Sequence, residues 1–334
     1  MHVAHLENST TVRTSQALRP ARALRLVRAG LGALAAVSPP LAGRAAGRLF
    51  LTPPRPAPPA WEEEALREAE PFALDVGGTT LRGFRRGDGP AVLLVHGWGG
   101  RGGQLAALAP PLLAAGASVV GFDGPAHGRS GGQLASLPRL AEAATRVARA
   151  FGARAAIGHS FGAAALGLAL ARGLSLDAVA LVAAPRSPAL YFERFCADMR
   201  LRPAARDAFR RRLEERVGIA MADLEAARVV SALATPALVV HDRDDREVPF
   251  EDAIAIAAAW PGARLLATEG LGHRRVLRDP VVAADVARFV VERLARCDGC
   301  GRLLGRGAAG ERCEGCALAA HLADRAGREP GAAA

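Results

Sequence analysis

The sequence predicts an α/β protein: a doubly wound, mostly parallel sheet, a helical insertion that serves as a lid, and a small C-terminal extension. Three observations predict it. From residue 91 onward, short apolar runs alternate with helical patterns of about 10–15 residues, which is how parallel strands and their crossovers read. A hairpin pattern precedes them, so the sheet is parallel for most but not all of its width. Reactive side chains then gather directly after the apolar runs, at the carboxyl ends of the strands, where open parallel sheets carry their sites.

Taken in order, residues 52–60 (Thr-Pro-Pro-Arg-Pro-Ala-Pro-Pro-Ala) cannot be helix interior and read as a stiff, extended linker. Residues 72–76 and 79–86 alternate in polarity around Gly77-Gly78, an antiparallel hairpin. Residues 91–95 form a buried strand, followed by a Gly-rich turn and a helix over 104–115. Strand 118–122, helix 137–151, strand 153–157, helix 161–171 and strand 178–183 continue the alternation. After an interruption, strand 237–241, helix 251–260, strand 264–268 and helix 280–296 complete it. The interruption, residues 185–234, is helical in composition, rich in Arg and Glu, and holds Tyr191, Phe192, Phe195, Met199 and Phe209. An insertion at that point stands above the strand carboxyl ends, so it is expected to roof the site with those apolar groups; a surface hairpin remote from the site is the alternative.

Gly158-His159-Ser160-Phe161-Gly162 lies between a strand and a helix. Gly-x-Ser-x-Gly in that setting is a nucleophile elbow: the turn is tight enough to need glycine beside it, and it lifts the serine hydroxyl above the sheet edge. The pentapeptide alone is weak; its setting carries it. The other strand ends supply His96-Gly97-Trp98, Asp123 with His127-Gly128-Arg129-Ser130, His241 through Pro249, and Glu269 through His273.

This set resembles the α/β-hydrolase fold superfamily, in particular its serine esterase and lipase-like members, over about residues 72–294. The resemblance implies Ser160 as nucleophile, Asp245 (in Asp-x-x-Val-Pro) as the acid and His273 as the base, in the chain order that superfamily uses. Asp242 and Asp244 compete for the acid role, and the Val-Pro spacing favours Asp245. The His-Gly-x segment implies an oxyanion donor from the backbone N–H of Trp98, paired with that of Phe161. Elementary chemistry agrees. A serine hydroxyl attacks only when a base takes its proton, and a carboxylate behind the imidazole fixes the tautomer. The Phe161 N–H at a helix start favours an oxyanion. Serine at the elbow argues against the haloalkane dehalogenases and epoxide hydrolases, which use Asp. His96, His127, His159 and His241 read as structural, Arg274 and Arg275 as solvated, and Cys196 as packing.

The extension departs from that family. Cys297-x2-Cys300 and Cys313-x2-Cys316, separated by 12 residues, suit a tetrahedral Zn²⁺ as a structural, zinc-ribbon-like site; two disulfides or a redox pair are the rivals. Four thiolates leave no open position, so the metal has no catalytic role and catalysis needs no cofactor.

Charge bounds the rest. The net charge is +10, and all 43 basic residues are Arg. Without Lys, an aromatic stripe or a recognised motif, coding bias explains this better than nucleic-acid binding. Residues 1–60 hold eight Arg and one acidic residue; Arg22, Arg25 and Arg28 alternate with Leu24, Val27, Leu31 and Leu34 at helical spacing. This amphipathic helix is expected to pack on the adjacent domain, with peripheral membrane contact as the other reading. No run of 18 apolar residues is present, and a signal peptide fits poorly. The chain therefore divides into a basic N-terminal helix and linker (1–60), a hydrolase domain (61–296, lid about 185–234), a four-cysteine, zinc-ribbon-like extension (297–320) and a flexible tail (321–334).

The expected activity is hydrolysis of a small-molecule carboxylic ester or related acyl compound through an acyl-enzyme on Ser160. Acyl transfer by the same triad is one alternative. A hydrolase-fold scaffold that binds a protein partner through the cysteine extension is another. Zinc rather than disulfides would place the protein in the cytoplasm.

Overall fold

The computed structural model describes residues 21–297, 299–304 and 313–326. One eight-stranded sheet forms the centre: β1 (Glu70–Val76), β2 (Thr79–Arg86), β3 (Ala91–Val95), β4 (Ser118–Phe122), β5 (Ala155–His159), β6 (Ala178–Val182), β7 (Ala237–Asp242) and β8 (Arg264–Thr268). Its order is β1-β2-β4-β3-β5-β6-β7-β8. The β1–β2 and β2–β4 pairs are antiparallel and all others parallel. This is the α/β-hydrolase fold. Strands β3 to β7 are buried at every position and read as mainly apolar runs, with polar residues only at their ends, because helices cover both sheet faces.

The helices in chain order are α1 (Ala21–Val37), α2 (Pro39–Phe50), α3 (Ala60–Ala65), α4 (Ala109–Ala114), α5 (Leu137–Ala150), α6 (Phe161–Ala171), α7 (Pro188–Met199), α8 (Pro203–Val217), α9 (Ala226–Val230), α10 (Phe250–Ala259), α11 (Gly272–Arg275), α12 (Pro280–Val291) and α13 (Glu314–Ala326). One core layer joins α5, α6 and α10 to the sheet through Leu140, Val147, Leu166, Ile256 and Trp260. The other face is covered by α4 and α12 through Leu112, Val286, Phe289 and Val290.

Three boundaries differ most from expectation, others such as β5 shifting by two residues or fewer. Instead of one helix over 104–115, a 3-10 segment (Gly102–Leu108) leads into α4, because Pro110-Pro111 can only occupy a helix start. Helix α12 ends at Val291, short of 296. Residues 321–326 continue helix α13 rather than starting a tail; residues 327–334, the remainder of that tail, lie outside the described residues, as do residues 1–20. Helix α3 was not legible in the sequence. Its Glu62 is buried and forms a two-pronged pair with Arg101, at 2.5 and 2.8 Å, beside the loop that follows β3.

The N-terminal helices pack on the insertion. Helix α2 presents Ala42, Gly43, Ala46 and Gly47 to α8, and a Cβ at Gly43 would stand 2.6 Å from the Phe209 backbone nitrogen. Only glycine allows that approach. Helix α1 adds Leu31 to the cluster of Leu51, Phe192, Phe209 and Met221. The linker is strapped down as well: Arg55 donates to the carbonyls of Ser130 (3.0 Å) and Gly132 (2.7 Å).

Candidate active site

Strand β5 runs directly into α6 through Ser160, whose backbone is held at φ 52° and ψ −118°. A non-glycine residue there is strained by about 1–3 kcal/mol, and its surroundings impose the conformation. A Cβ at Gly158 would lie 2.7 Å from the Ala163 Cα, and one at Gly162 would lie 2.3 Å from the Val95 carbonyl oxygen. The two glycines let helix and strands close under the serine. Phe161 is the first residue of α6, so its N–H has no acceptor within the helix. The loop after β3 lies against the same point, since a Cβ at Gly97 would be 3.2 Å from the Ser160 Cβ. Trp98 follows, 40 % exposed, with its ring edge-on to those of Phe161 (5.3 Å) and His127 (5.5 Å).

The residues predicted as acid and base, Asp245 and His273, follow β7 and β8. His273 Nδ1 donates to Asp245 Oδ2 at 2.7 Å, and the Asp245 side chain is fully buried. Burial by itself pushes that carboxyl up. Hydrogen bonds from His241, His273 and the Val248 N–H outweigh it and hold the group well below the usual carboxylate range. Its Oδ1 accepts the N–H groups of Glu247 (2.8 Å) and Val248 (2.9 Å). Of the competing acids, Asp244 accepts the Gly270 N–H at 2.8 Å. Asp242 accepts from Gly272 N (2.8 Å), Leu271 N (3.0 Å), Asp244 N (3.0 Å) and Thr268 Oγ1 (2.7 Å). Burial raises its pKa, but those four donors bring it below the ordinary value. Asp242 thus fixes the loop that carries His273.

The other histidines brace the site. His159 donates from Nε2 to the His273 carbonyl at 2.9 Å, and the two rings lie 4.7 Å apart. His96 accepts the Gly124 N–H (2.8 Å), with Nδ1 against the Gly97 carbonyl (2.7 Å), tying two loops together. His127 donates to the Pro125 carbonyl at 2.9 Å. His241 does more than end a strand: its Nε2 lies 3.1 Å from the Val248 carbonyl and 3.4 Å from Asp245 Oδ2. Burial lowers the pKa of His96 to about 4, and those of His127 and His159 to about 3.

Glu247 was given no role by the sequence, and Tyr191 entered only as one of the apolar groups of the insertion. Glu247 Oε2 lies 4.0 Å from His273 Nε2 and its other oxygen lies 3.2 Å from Arg274 Nε, so a second carboxylate stands beside the outer imidazole nitrogen. Arg274 is therefore paired rather than merely solvated, while Arg275 donates to the Gly270 and Leu271 carbonyls. Tyr191 of the insertion has a buried hydroxyl without a partner among the described residues. Its pKa is raised, chiefly by burial and then by Asp252, with Asp245 and Glu247 adding to it. Neither position carries a motif.

The aromatic lining expected of the insertion is corrected. Phe192 and Phe209 are completely buried, and with Phe195 and Met199 they pack against α1 and α2 rather than facing the serine. An apolar partner arriving from the N-terminal helices satisfies them, which the order of residues in the chain does not reveal. Cys196 sits in the same cluster, its thiol pushed up to about 11 by burial, as a packing group. A cleft lined by Arg86, Pro90, Leu113, Phe151 and Leu303 opens at the amino ends of β3 and β4, opposite Ser160, and holds none of these side chains.

Cys297, Cys300, Cys313 and Cys316 bring their sulfurs within 4.8 Å of one another. A tetrahedral ion with sulfur at about 2.3 Å sets its ligands about 3.8 Å apart, and Cys300 and Cys313 are separated by 3.8 Å. A disulfide needs about 2.05 Å, and all four thiols are free. The donor set fits Zn²⁺ and leaves no position for substrate.

Comparisons with known proteins agree with this architecture. The model of the Alpha/beta hydrolase family matches residues 92–286. Among solved structures, the chain is similar to the esterase Est1E of Butyrivibrio proteoclasticus bound to ferulic acid (20 % identity, TM-score 0.51, covering 66 % of this chain and 98 % of that one). It is similar to the 2-hydroxy-6-oxo-6-phenylhexa-2,4-dienoate hydrolase of Rhodococcus sp. strain RHA1 (19 %, 0.51, 66 % and 98 %). A bacterial membrane phospholipase A is similar over 81 % of this chain and 97 % of its own (18 %, 0.52). No protein of curated function matches. At these identities the structural likeness speaks for the fold, and the family match covers more than half of the sequence: the chain belongs to the Alpha/beta hydrolase family.

Proposed function

We propose that this hydrolase is serine-dependent and cleaves a carboxylic ester or related acyl compound through an acyl-enzyme on Ser160. The observation that carries the reading is the 2.7 Å bond between His273 Nδ1 and the buried carboxylate of Asp245, formed beside a strained serine turn. Nδ1 donates, so Nε2 is left as the acceptor. In the proposed reaction Ser160 Oγ bonds to the acyl carbon while its proton passes to His273 Nε2. The carbonyl π pair moves onto oxygen, where the N–H groups of Trp98 and Phe161 receive it. Collapse expels the alkoxide, which takes the proton from Nε2. Water then repeats the sequence and releases the acid. Each oxyanion donor is worth about 3–4 kcal/mol in such sites.

Trp98 at the mouth favours an apolar group on the substrate; the insertion aromatics no longer support that preference. Est1E with its bound ferulic acid is consistent with an acyl substrate, within the limits of a fold likeness. The four cysteines are proposed to hold a structural Zn²⁺, remote from the reaction.

A fluorophosphonate probe is expected to label the wild type and not Ser160→Ala. Turnover of p-nitrophenyl esters should fall on the order of 10⁴-fold or more in Ser160→Ala and in His273→Ala. Labelling of both the wild type and Ser160→Ala would reject the reading.

A further inference from the structure

Helices α1 and α2 have two unlike faces. The inner face is committed: Leu31, Ala42 and Ala46 pack on the insertion, and Arg28 donates to the Asp198 carbonyl. The outer face has no partner among the described residues. Leu26 (74 % exposed) and Val37 (86 %) lie 11 residues apart, three helical turns, on a single line along α1. Gly30 and Ala33 continue the line between them, and Leu41 (46 %) extends the apolar surface onto α2. Arg22 and Arg25, both exposed, precede or border the strip in the chain, and exposed Arg44 follows it on α2.

The charge carried by this segment itself is of one sign. Residues 21–60 contain six Arg and no Asp or Glu. None of the six forms an ion pair among the described residues; Arg28 and Arg55 donate to backbone carbonyls and Arg48 to the Gln133 side chain. A strip of exposed aliphatic and small side chains flanked by uncompensated guanidinium groups matches a surface that is apolar inside and anionic at its rim. No helix among the described residues is long and apolar enough to cross a membrane, so contact of this kind would lie in the interface plane.

We propose that the outer face of α1 and α2 docks the protein on an anionic lipid surface. The same N-terminal segment touches both sides of the catalytic mouth. Its helices hold the insertion, whose Arg194 donates to the Glu247 carbonyl at 2.9 Å, and Pro54 of the linker abuts Gly99 of the loop carrying Trp98. The docking itself does not depend on the chemistry at Ser160.

The test is co-sedimentation of the full-length protein with vesicles of phosphatidylcholine alone or mixed with phosphatidylglycerol, at low and high salt. Binding is expected only with phosphatidylglycerol and should weaken as salt rises. Ser160→Ala should bind like the wild type, which separates this result from any failure of the esterase reading. Leu26→Glu with Val37→Glu should abolish sedimentation. Arg22→Gln and Arg25→Gln should each lower partitioning about fivefold. These positions are exposed, so thermal midpoints and turnover of a soluble ester should not change. Wild type that ignores phosphatidylglycerol overturns the proposal. So does sedimentation of the two glutamate substitutions at wild-type level, or retention on an acidic polypeptide matrix without vesicle binding.

Discussion

At the scale of single residues, the site is wrapped in neutral imidazoles. His96, His127 and His159 have pKa values pressed by burial to about 4, 3 and 3, against about 6.5 in an unfolded chain. Between those limits the unfolded state binds more protons than the folded one. The stability these groups support is therefore complete above pH 6.5 and is lost as pH falls toward 4, at roughly 1.4 kcal/mol per pH unit for each. Urea midpoints should accordingly drop steeply between pH 7 and pH 5; a flat profile over that range would contradict neutral burial. The sequence assigned these histidines structural roles but not their partners. His159 adjoins Ser160 in the chain, yet it acts on the backbone of His273, 114 positions away.

At the scale of elements, the ends of β7 and β8 divide the work. Three acids lie within four residues, Asp242 closing β7 and Asp244 and Asp245 following it, and in the sequence only the family resemblance with its Val-Pro spacing favoured Asp245. The physical distinction is direction: Asp245 turns to the imidazole, while Asp242 gathers four donors, three of them backbone N–H groups. Asp242→Ala is expected to leave those donors unpaired at about 1–3 kcal/mol each and to displace His273. A shift of about 1 Å is enough to lower kcat about a hundredfold, with KM little changed, and Asp242→Asn should recover part of the loss because its carbonyl oxygen still accepts. Equal kcat for Asp242→Ala and wild type would show that the loop holds itself. Strand and helix identities were legible because burial on both sheet faces writes mainly apolar runs. The missed pieces, α3 and the 3-10 segment, are short and owe their form to neighbours such as Arg101 and to paired prolines.

Across the whole molecule, additions at each end flank the hydrolase body. The cysteine extension closes a bridge between Arg296 and Leu303, and Leu303 joins the core beneath the sheet. Purified protein is expected to contain about one Zn²⁺ per chain, as the four-thiolate set requires. Stripping it with a strong chelator should lower the thermal midpoint by a few degrees, while ester turnover at about 25 °C stays close to its starting value. Metal-free protein in which denaturant exposes a single titratable thiol, that of Cys196, would point to two disulfides instead. By itself the sequence determined the strand order of chemistry, the serine turn and the cysteine spacing, because these follow from local sterics and from short-range periodicity. Only the tertiary structure decided that the insertion phenylalanines serve the N-terminal helices, that Glu247 stands beside the outer nitrogen of His273, and that the basic helix has an outer face with no partner among the described residues. Those outcomes depend on which distant surfaces meet, and burial against a partner far along the chain leaves no local signature.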